Sequence, residues 1–380
     1  MPSAHPRIAI LTPFLHHASG YGGITPWLIN LANGFVVRGM AVDILVNARP
    51  RTPLSCVNLD SSVRILNHGY HKPGAMLALL SYLRHERPQV LLGAGHRYNW
   101  MAAWAKRLSR TPVQVFLSVH ENVSVGSAGM SARKQRQRFA AMRRLYPRCD
   151  GVIAVSEGVA RDLVAAIGLP GDVVETIYNP VVDETLLVLS REAVDHPWLQ
   201  AGEPPVILGV GRLEQQKDFP TLLRAFAALQ VRRPSRLVIL GEGRERAALE
   251  ALSTELGIAE RIALPGHVDN PFAWMRQADL FVLSSAWEGF GNVLAEALAV
   301  GTPVVSTDCP SGPREILASG RYGPLTPVAD VAALSEAMAV TLAQPLDEEA
   351  LRQRGQDYSV AASVDNYLCR FGLKQESACR

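Results

Sequence analysis

Short apolar runs alternate with longer stretches of helical period along the whole chain. In the first half the runs are Ile8 to Leu11, Val42 to Val46, Val90 to Leu92, Val113 to Leu117 and Gly151 to Val155. Apolar residues without a polar partner at every second position read as strands buried on both faces of a parallel sheet. Helical patterns follow several of them, at Thr25 to Arg38, Trp100 to Ser109 and Gly158 to Ile167. The same grammar restarts with Val206 to Val210, Arg236 to Leu240, Ile262 to Leu264, Leu280 to Leu283 and Pro303 to Ser306, with helices at Phe219 to Leu229, Glu245 to Leu256 and Asn292 to Val300. Strand, corner, helix and strand again is the signature of βαβ units. The reading is α/β, with two Rossmann-like doubly wound domains facing a cleft, residues 1–180 and 181–360. Their boundary is expected within Pro180 to Pro205, where Asn179-Pro180, His196-Pro197 and Pro204-Pro205 punctuate the chain. A length of 380 residues agrees, because single cores stop growing near ~250 residues.

Parallel sheets bind ligands beyond the carboxyl ends of their strands, so chemistry is sought in the corners that follow them. The richest corner is Ser284 to Pro303. Gly289 and Gly291 permit a sharp turn into a helix, and that helix ends at Gly301 and Pro303. The helix start at Gly291, Asn292 and Val293 suits a phosphate. Glu296, one turn further on, can accept two hydrogen bonds from vicinal ribose hydroxyls or simply be solvated. Glu288 either caps the turn or reaches a sugar. Gly209 to Asp218 carries Gly211, Arg212 and Lys217 after another apolar run, and two cations there can neutralise a departing diphosphate. Gly241-Glu242-Gly243 and the segment Pro265 to Asn270, with Val268 and Asp269, could frame a base and ribose or be plain strand-to-helix connections. In the first half, Ser19 to Gly23 opens a helix, and His120 follows the run Val113 to Leu117.

Charge is divided unevenly. Residues 1–180 hold 20 Lys+Arg and 9 Asp+Glu, net +11, and residues 181–380 hold 18 and 26, net −8, which together give the formal +3. The first half is expected to face something anionic. Much of its charge lies in residues 126–150, with Arg133, Lys134, Arg136, Arg138, Arg143, Arg144 and Arg148 beside Met130, Phe139, Met142, Leu145 and Tyr146. Such a helix suits an anionic lipid surface or a lipid pyrophosphate, or is merely solvated. No recognition-helix or finger motif accompanies it, so nucleic acid is not expected. No apolar stretch reaches the ~18 residues of a membrane span, and no signal peptide precedes Ile8. Five widely spaced cysteines, Cys56, Cys149, Cys309, Cys369 and Cys379, read as reduced thiols in a cytoplasmic protein, with a place at the inner face of the plasma membrane left open.

Together these residues resemble the retaining glycosyltransferases of family four, with the GT-B architecture. Carrying the resemblance are Glu288 to Glu296 with seven residues between, Gly-Arg-Leu with the later Lys-Asp, Gly22-Gly23, and Thr307 to Glu315. It implies that Arg212 and Lys217 bind the donor diphosphate, Glu296 the ribose and Glu288 the sugar hydroxyls. Phe290, Gly291 and Asn292 would line the pocket, His120 would sit beside the transferred sugar, Gly23 near the phosphate, and Val268 and Asp269 near the base. It further implies a last helix, about 361–380, that returns to the first domain, a nucleotide-sugar co-substrate with no resident cofactor, and no metal. The Thr307 segment is similar to that of bacterial enzymes building lipopolysaccharide and lipid-linked oligosaccharides, often from UDP sugars; the sequence leaves sugar, base and acceptor open. Two competing readings remain: a non-hydrolysing nucleotide-sugar epimerase, which would convert its donor without an acceptor, and a binding subunit without turnover.

Overall fold

The computed structural model describes residues 6–12, 24–46, 58–67 and 72–374. By its internal contacts the chain forms two units, residues 1–180 with 360–380, and residues 181–359.

The first unit is a seven-stranded sheet of β1 (Arg7–Thr12), β2 (Ala41–Val46), β3 (Arg64–Asn67), β4 (Val90–Ala94), β5 (Gln114–Val119), β6 (Gly151–Ala154) and β7 (Val174–Thr176), in the order β3-β2-β1-β4-β5-β6-β7. Every pairing is parallel. The helices used below are α1 (Ile24–Val37), α2 (Lys72–Glu86), α3 (His96–Ser109) and α4 (Ala132–Leu145). Ile8, Ile10, Val42, Ile44, Val90 and Leu92 are buried and pack with Trp27, Leu28, Leu31 and Phe35 of α1. The chain's last helix, Val360–Arg370, completes this core with Val364, Tyr367 and Leu368, followed by Phe371. It fits because Gly34 of α1 lacks a side chain: a Cβ there would stand 2.4 Å from Val364 Cγ2.

The second unit is a six-stranded parallel sheet of β8 (Val206–Val210), β9 (Arg236–Leu240), β10 (Ile262–Gly266), β11 (Leu280–Leu283), β12 (Val304–Thr307) and β13 (Leu325–Thr326), in the order β10-β9-β8-β11-β12-β13. Helices α5 (Phe219–Gln230), α6 (Arg246–Glu255), α7 (Asn292–Ala299), α8 (Val331–Ala343) and α9 (Glu348–Gln356) cover it. Gly355 of α9 meets α7 so closely that a Cβ would lie 2.5 Å from the Ala299 backbone nitrogen. After α9 the Tyr358 carbonyl accepts from Val181 N at 3.0 Å and Val182 N at 3.1 Å, which ties the two ends of this unit together.

The sequence pattern leaves out several elements. β3, β7 and β13 are short strands at or near sheet edges, with little apolar pattern to display. α2 begins at Lys72-Pro73-Gly74 and then runs Ala75 to Leu80 without a helical period, since Leu77 is 68% exposed while Leu79 is buried. The helix expected over Gly158 to Ile167 is helical but changes type, from α over Glu157–Asp162 to π over Leu163–Ile167. Cys149 and Cys309 are free. Cys56 and Cys379 lie outside the described residues.

One buried acid ties three elements of the first sheet. Asp43 of β2 is fully buried and accepts from Arg7 Nη1 at 2.9 Å, Arg64 Nη2 at 2.7 Å and Tyr82 Oη at 2.6 Å. Burial opposes its ionisation, but hydrogen bonds from Arg64, Tyr82 and Arg7 outweigh that and hold its pKa below the usual carboxylate value. Asp43→Asn is expected to cost about 3 kcal/mol, the low end for breaking a buried ion pair because Arg64 stays partly solvated. The depressed carboxyl contributes stability at neutral pH that fades as pH falls through its folded pKa. The difference between the two proteins in urea unfolding should therefore shrink towards pH 3.

Candidate active site

Strand order sets where the site forms. From β8 the chain winds outward through β9 and β10, then returns to β11 on the other side of β8. The loops leaving β8 and β11 diverge above neighbouring strands, which is the topological switch point where open α/β sheets bind ligands.

The β8 loop, residues 211–218, is fastened to the β11 loop. Ala286 N donates to Gln216 O at 2.8 Å, Ser284 Oγ to Lys217 O at 2.7 Å, and Gln216 Nε2 to Trp287 O at 3.0 Å. Lys217, whose side chain is 14% exposed, places Nζ 2.6 Å from Glu288 Oε1, with Glu288 8% exposed. Ser285 Oγ donates to the same oxygen at 2.7 Å, and Thr307 Oγ1 at the end of β12 donates to Ser285 O at 2.6 Å. The Lys217 stem lies over Gly211, where a Cβ would come 2.9 Å from Lys217 Cε. Arg212 reaches outward, with Nη1 3.0 Å from Glu214 Oε2 and Nη2 3.4 Å from Gln216 Oε1.

The β11 loop then turns into α7. Of its two glycines, only Gly291 takes a positive φ, 97°, as the N-cap. Glu288 N donates to Pro310 O at 3.2 Å, and Gly312 sits so near that a Cβ would fall 1.8 Å from the Phe290 carbonyl oxygen. Phe290 is buried and meets the Tyr358 ring edge to face, centroids 5.3 Å apart. Asn292 and Val293 form the first turn of α7, and Glu296 follows one turn later, partly exposed. Burial pushes the Glu296 carboxyl up to about 7, against the lowering influence of Lys217.

Gly241 and Gly243 belong to the wall behind Lys217. Gly211 N donates to Leu240 O and Leu213 N to Glu242 O, both at 2.9 Å. A Cβ on Gly241 would stand 2.0 Å from Gly211 O, and one on Gly243 2.4 Å from Leu213 O. The glycines let one loop back directly onto another. Val268 and Asp269 follow β10, two strands from β8; Asp269 is fully exposed and 3.9 Å from His267 Nε2.

In the first unit, His120 follows β5. Its Nε2 shares a hydrogen bond with Ser118 Oγ at 3.0 Å, and its ring meets Trp27 edge on at 4.4 Å. Burial lowers its pKa to about 3, so the ring is neutral at physiological pH. The adjacent Glu121 pairs with Arg138 of α4 at 2.6 Å. Arg133, Lys134, Arg136, Arg143 and Arg144 of α4 are exposed, while Met142, Leu145 and Tyr146 are buried, so the apolar surface expected of this helix reduces to Met130 and part of Phe139. Gly23, with the Ser19 to Gly23 corner, lies outside the described residues.

The structure thus brings Gly211, Arg212, Lys217, Glu288, Phe290, Gly291 and Glu296 to one corner, with Gly241 behind it. It leaves Val268 and Asp269 apart. Sequence reading missed Gln216, Ser284 and Ser285, although all three lie inside the segments it singled out, because an uncharged side chain in a loop carries no signal until its partner is known. Among the described residues no three His, Cys, Asp or Glu side chains gather where a metal could be held, and no helix is long and apolar enough to cross a membrane.

Comparison with known proteins meets this geometry. Residues 190–358 match the model of glycosyl transferases group 1, and residues 21–185 that of glycosyltransferase family 4. A glycosyltransferase of Methanocaldococcus jannaschii is 30% identical over 304 residues, 75% of this chain and 76% of its own. A Campylobacter jejuni N-acetylgalactosaminyltransferase acting on a diphospho-undecaprenol-linked sugar is 36% identical over 184 residues, 48% of each chain. A lipopolysaccharide core biosynthesis glycosyltransferase of Rhizobium meliloti is 30% identical over 224 residues, 58% of this chain and 63% of its own. The chain thus spans about half to two thirds of the length of these last two relatives. Sucrose-phosphate synthase from Thermosynechococcus elongatus has the same fold at a TM-score of 0.76, 21% identical and covering 97% of both chains. A lipopolysaccharide outer core galactosyltransferase matches at 0.71, also 21% identical, covering 97% of this chain and 100% of its own. Two parallel Rossmann-like sheets, the family models on both halves and the archaeal relative lead to one conclusion: the chain belongs to the group 1, family-four glycosyltransferases of GT-B fold.

Proposed function

We propose that this protein moves a hexosyl group from a nucleoside-diphosphate sugar, with UDP as the nucleotide, to a glycan or lipid-linked acceptor, with retention and without a metal. The observation that carries the reading is the contact of Lys217 with Glu288 at the switch point of the second sheet, with Arg212 on the same loop and Glu296 one turn into α7. Arg212 and Lys217 take the diphosphate, Glu296 the ribose and Glu288 the sugar hydroxyls. Gly289, Phe290, Gly291, Asn292 and Val293 line the pocket, Gly211 and Gly241 give it backbone walls, and Val268 and Asp269 lie towards the base. His120, neutral and anchored by Ser118, is the residue that the family resemblance sets beside the transferred sugar.

The bond from the anomeric carbon to the diphosphate oxygen breaks as the acceptor hydroxyl forms its own bond on the same face, and the departing phosphate oxygen takes the hydroxyl proton. Two cations then supply what a metal would, compensation of leaving-group charge at a position fixed beforehand. Support for the nucleotide comes from an Anabaena protein of the same fold, 16% identical with a TM-score of 0.77, whose structure holds UDP. Support for the acceptor comes from the Campylobacter and Rhizobium relatives, named for lipid-linked and lipopolysaccharide substrates. The exposed cations of α4 would rest on an anionic membrane face where such acceptors reside.

UDP at 100 times its dissociation constant is expected to stabilise the protein by roughly 2.7 kcal/mol in thermal unfolding, more than GDP or ADP at the same concentration. Lys217→Ala should remove most of that gain and at least ~100-fold of turnover, and it should destabilise the ligand-free chain by about 3 kcal/mol, since it leaves Glu288 buried without its cation. Turnover near the wild-type rate in that variant would refute the assignment.

Glu296 allows a test in which stability and binding move in opposite directions. Its folded pKa lies above the ~4.3 of an unfolded Glu, so ionisation between about pH 4 and 7 costs the empty protein stability. Glu296→Gln should therefore raise the calorimetric midpoint at pH 8 by a few degrees, bring no gain at pH 4, and still weaken UDP binding.

For the membrane face, replacing Arg133, Lys134 and Arg136 by Gln should weaken sedimentation with phosphatidylglycerol vesicles by about 100-fold at low salt, at ~1 kcal/mol per cation. Equal sedimentation of both proteins would remove that surface from the account.

A further inference from the structure

Gln216 has three roles in the corner just described, and none of them is contact with a ligand. Its backbone carbonyl accepts from Ala286 N at 2.8 Å. Its side-chain nitrogen donates to Trp287 O at 3.0 Å, the residue before Glu288. Its side-chain oxygen accepts from Arg212 Nη2 at 3.4 Å. An uncharged amide offers a donor and an acceptor at once; a carboxylate can only accept and an ammonium can only donate. Gln216 therefore reaches across from the β8 loop to the β11 loop while steadying the cation four residues before it.

Arg212 has a second partner that pulls elsewhere. Its Nη1 lies 3.0 Å from Glu214 Oε2 while Nη2 stays on Gln216, so the guanidinium, 38% exposed, is shared between the two. An exposed ion pair of this kind is worth little, but it is charged, and the Gln216 bond at 3.4 Å is long. Removing the Gln216 amide releases Nη2, and Glu214 would then take both guanidinium nitrogens.

We propose that Gln216 is a positioning residue: it spans the two loops of the switch point and engages Nη2 of Arg212, so that Glu214 takes only Nη1 and the guanidinium stays in reach of the donor diphosphate. This rests on the reading of Arg212 as a diphosphate ligand. It predicts a specific pattern of rescue, because the competing carboxylate can be taken away separately.

The test uses the full chain, isothermal titration with UDP and the thermal midpoint of each variant. Gln216→Met, similar in volume but without the amide, should weaken UDP on the order of 10-fold, in line with misplacement of a binding group, while the midpoint stays close to wild type. Adding Glu214→Gln to Gln216→Met should recover most of the lost affinity, and Glu214→Gln alone should change it little. A merely structural Gln216 would give a loss that Glu214→Gln cannot restore, and that outcome overturns the proposal. Wild-type affinity in Gln216→Met, with affinity lost in Arg212→Ala, also overturns it but leaves the diphosphate reading intact. Undiminished affinity in Arg212→Ala overturns both. Should Gln216→Met fail to fold, Gln216→Asn, one methylene short of the Trp287 carbonyl, carries the same expectations.

Discussion

The carboxyl edge of the second sheet is organised by one ionic contact, Lys217 Nζ to Glu288 Oε1, made where both side chains are largely withdrawn from water. Such a pair is costly to assemble, since each partner sheds hydration, and it persists only where further hydrogen bonds complete it. Here Ser285 supplies one to the same carboxylate oxygen, and Thr307 fixes Ser285 in turn. The contact joins residues 71 apart in sequence, and only the return of the chain from β10 to β11 makes them neighbours. Topology thus does for the charges what no local sequence could. In the ligand-free chain Lys217 also lowers the Glu296 pKa while burial raises it, so a single ammonium serves two carboxylates. An anionic ligand arriving at this corner would meet a cation whose charge is already partly balanced. On the proposed reading, recognition is an exchange of partners for Lys217 rather than the filling of an empty positive hole.

Around this contact the backbone leaves almost no freedom. Gly211, Gly241, Gly243 and Gly312 each lie against another main chain or against the Lys217 stem, at distances no Cβ tolerates. They look alike in sequence, yet only Gly241 and Gly312 also need a positive φ; the other two are glycine for space alone. The three loops after β8, β9 and β11, with the loop after β12, therefore form a continuous layer of backbone, in which charged side chains are held by packing as much as by their partners. On the proposed reading, this is the preorganisation that stabilising a leaving group requires.

The interior of the fold was legible because β1, β4, β5, β8, β9 and β11 carry short unbroken apolar runs, and β2 one interrupted only by Asp43, a pattern that burial on both faces imposes. The edges were not: β7 and β13 span three and two residues, too few for any period to register. α2 was hidden for a different reason, its apolar residues being consecutive rather than spaced, with Leu77 on the outside. At the site, the charged residues announced themselves through their glycine corners, and Lys217 and Glu288 do meet. Gln216, Ser284 and Ser285 were silent, because a polar uncharged side chain gains meaning only from what it touches. The basic stretch of residues 126–150 was visible as charge, but Met142, Leu145 and Tyr146 turn out to be buried, which composition cannot reveal. His120 was found by position, and its neutrality follows from burial that no sequence displays.

The return of the final helix to the first unit sets an order of events during synthesis. Val364, Tyr367, Leu368 and Phe371 belong to the core of a sheet whose first strand is made some 350 residues earlier. While the ribosome is still producing the second unit, the first has α1 in place and one flank uncovered, since the partner that meets Gly34 does not yet exist. The second unit, continuous from 181 to 359, can close before the first is whole. Folding is therefore nested, the inner segment maturing inside an outer one that is finished last, and the nascent first unit has an apolar flank to shield for most of translation.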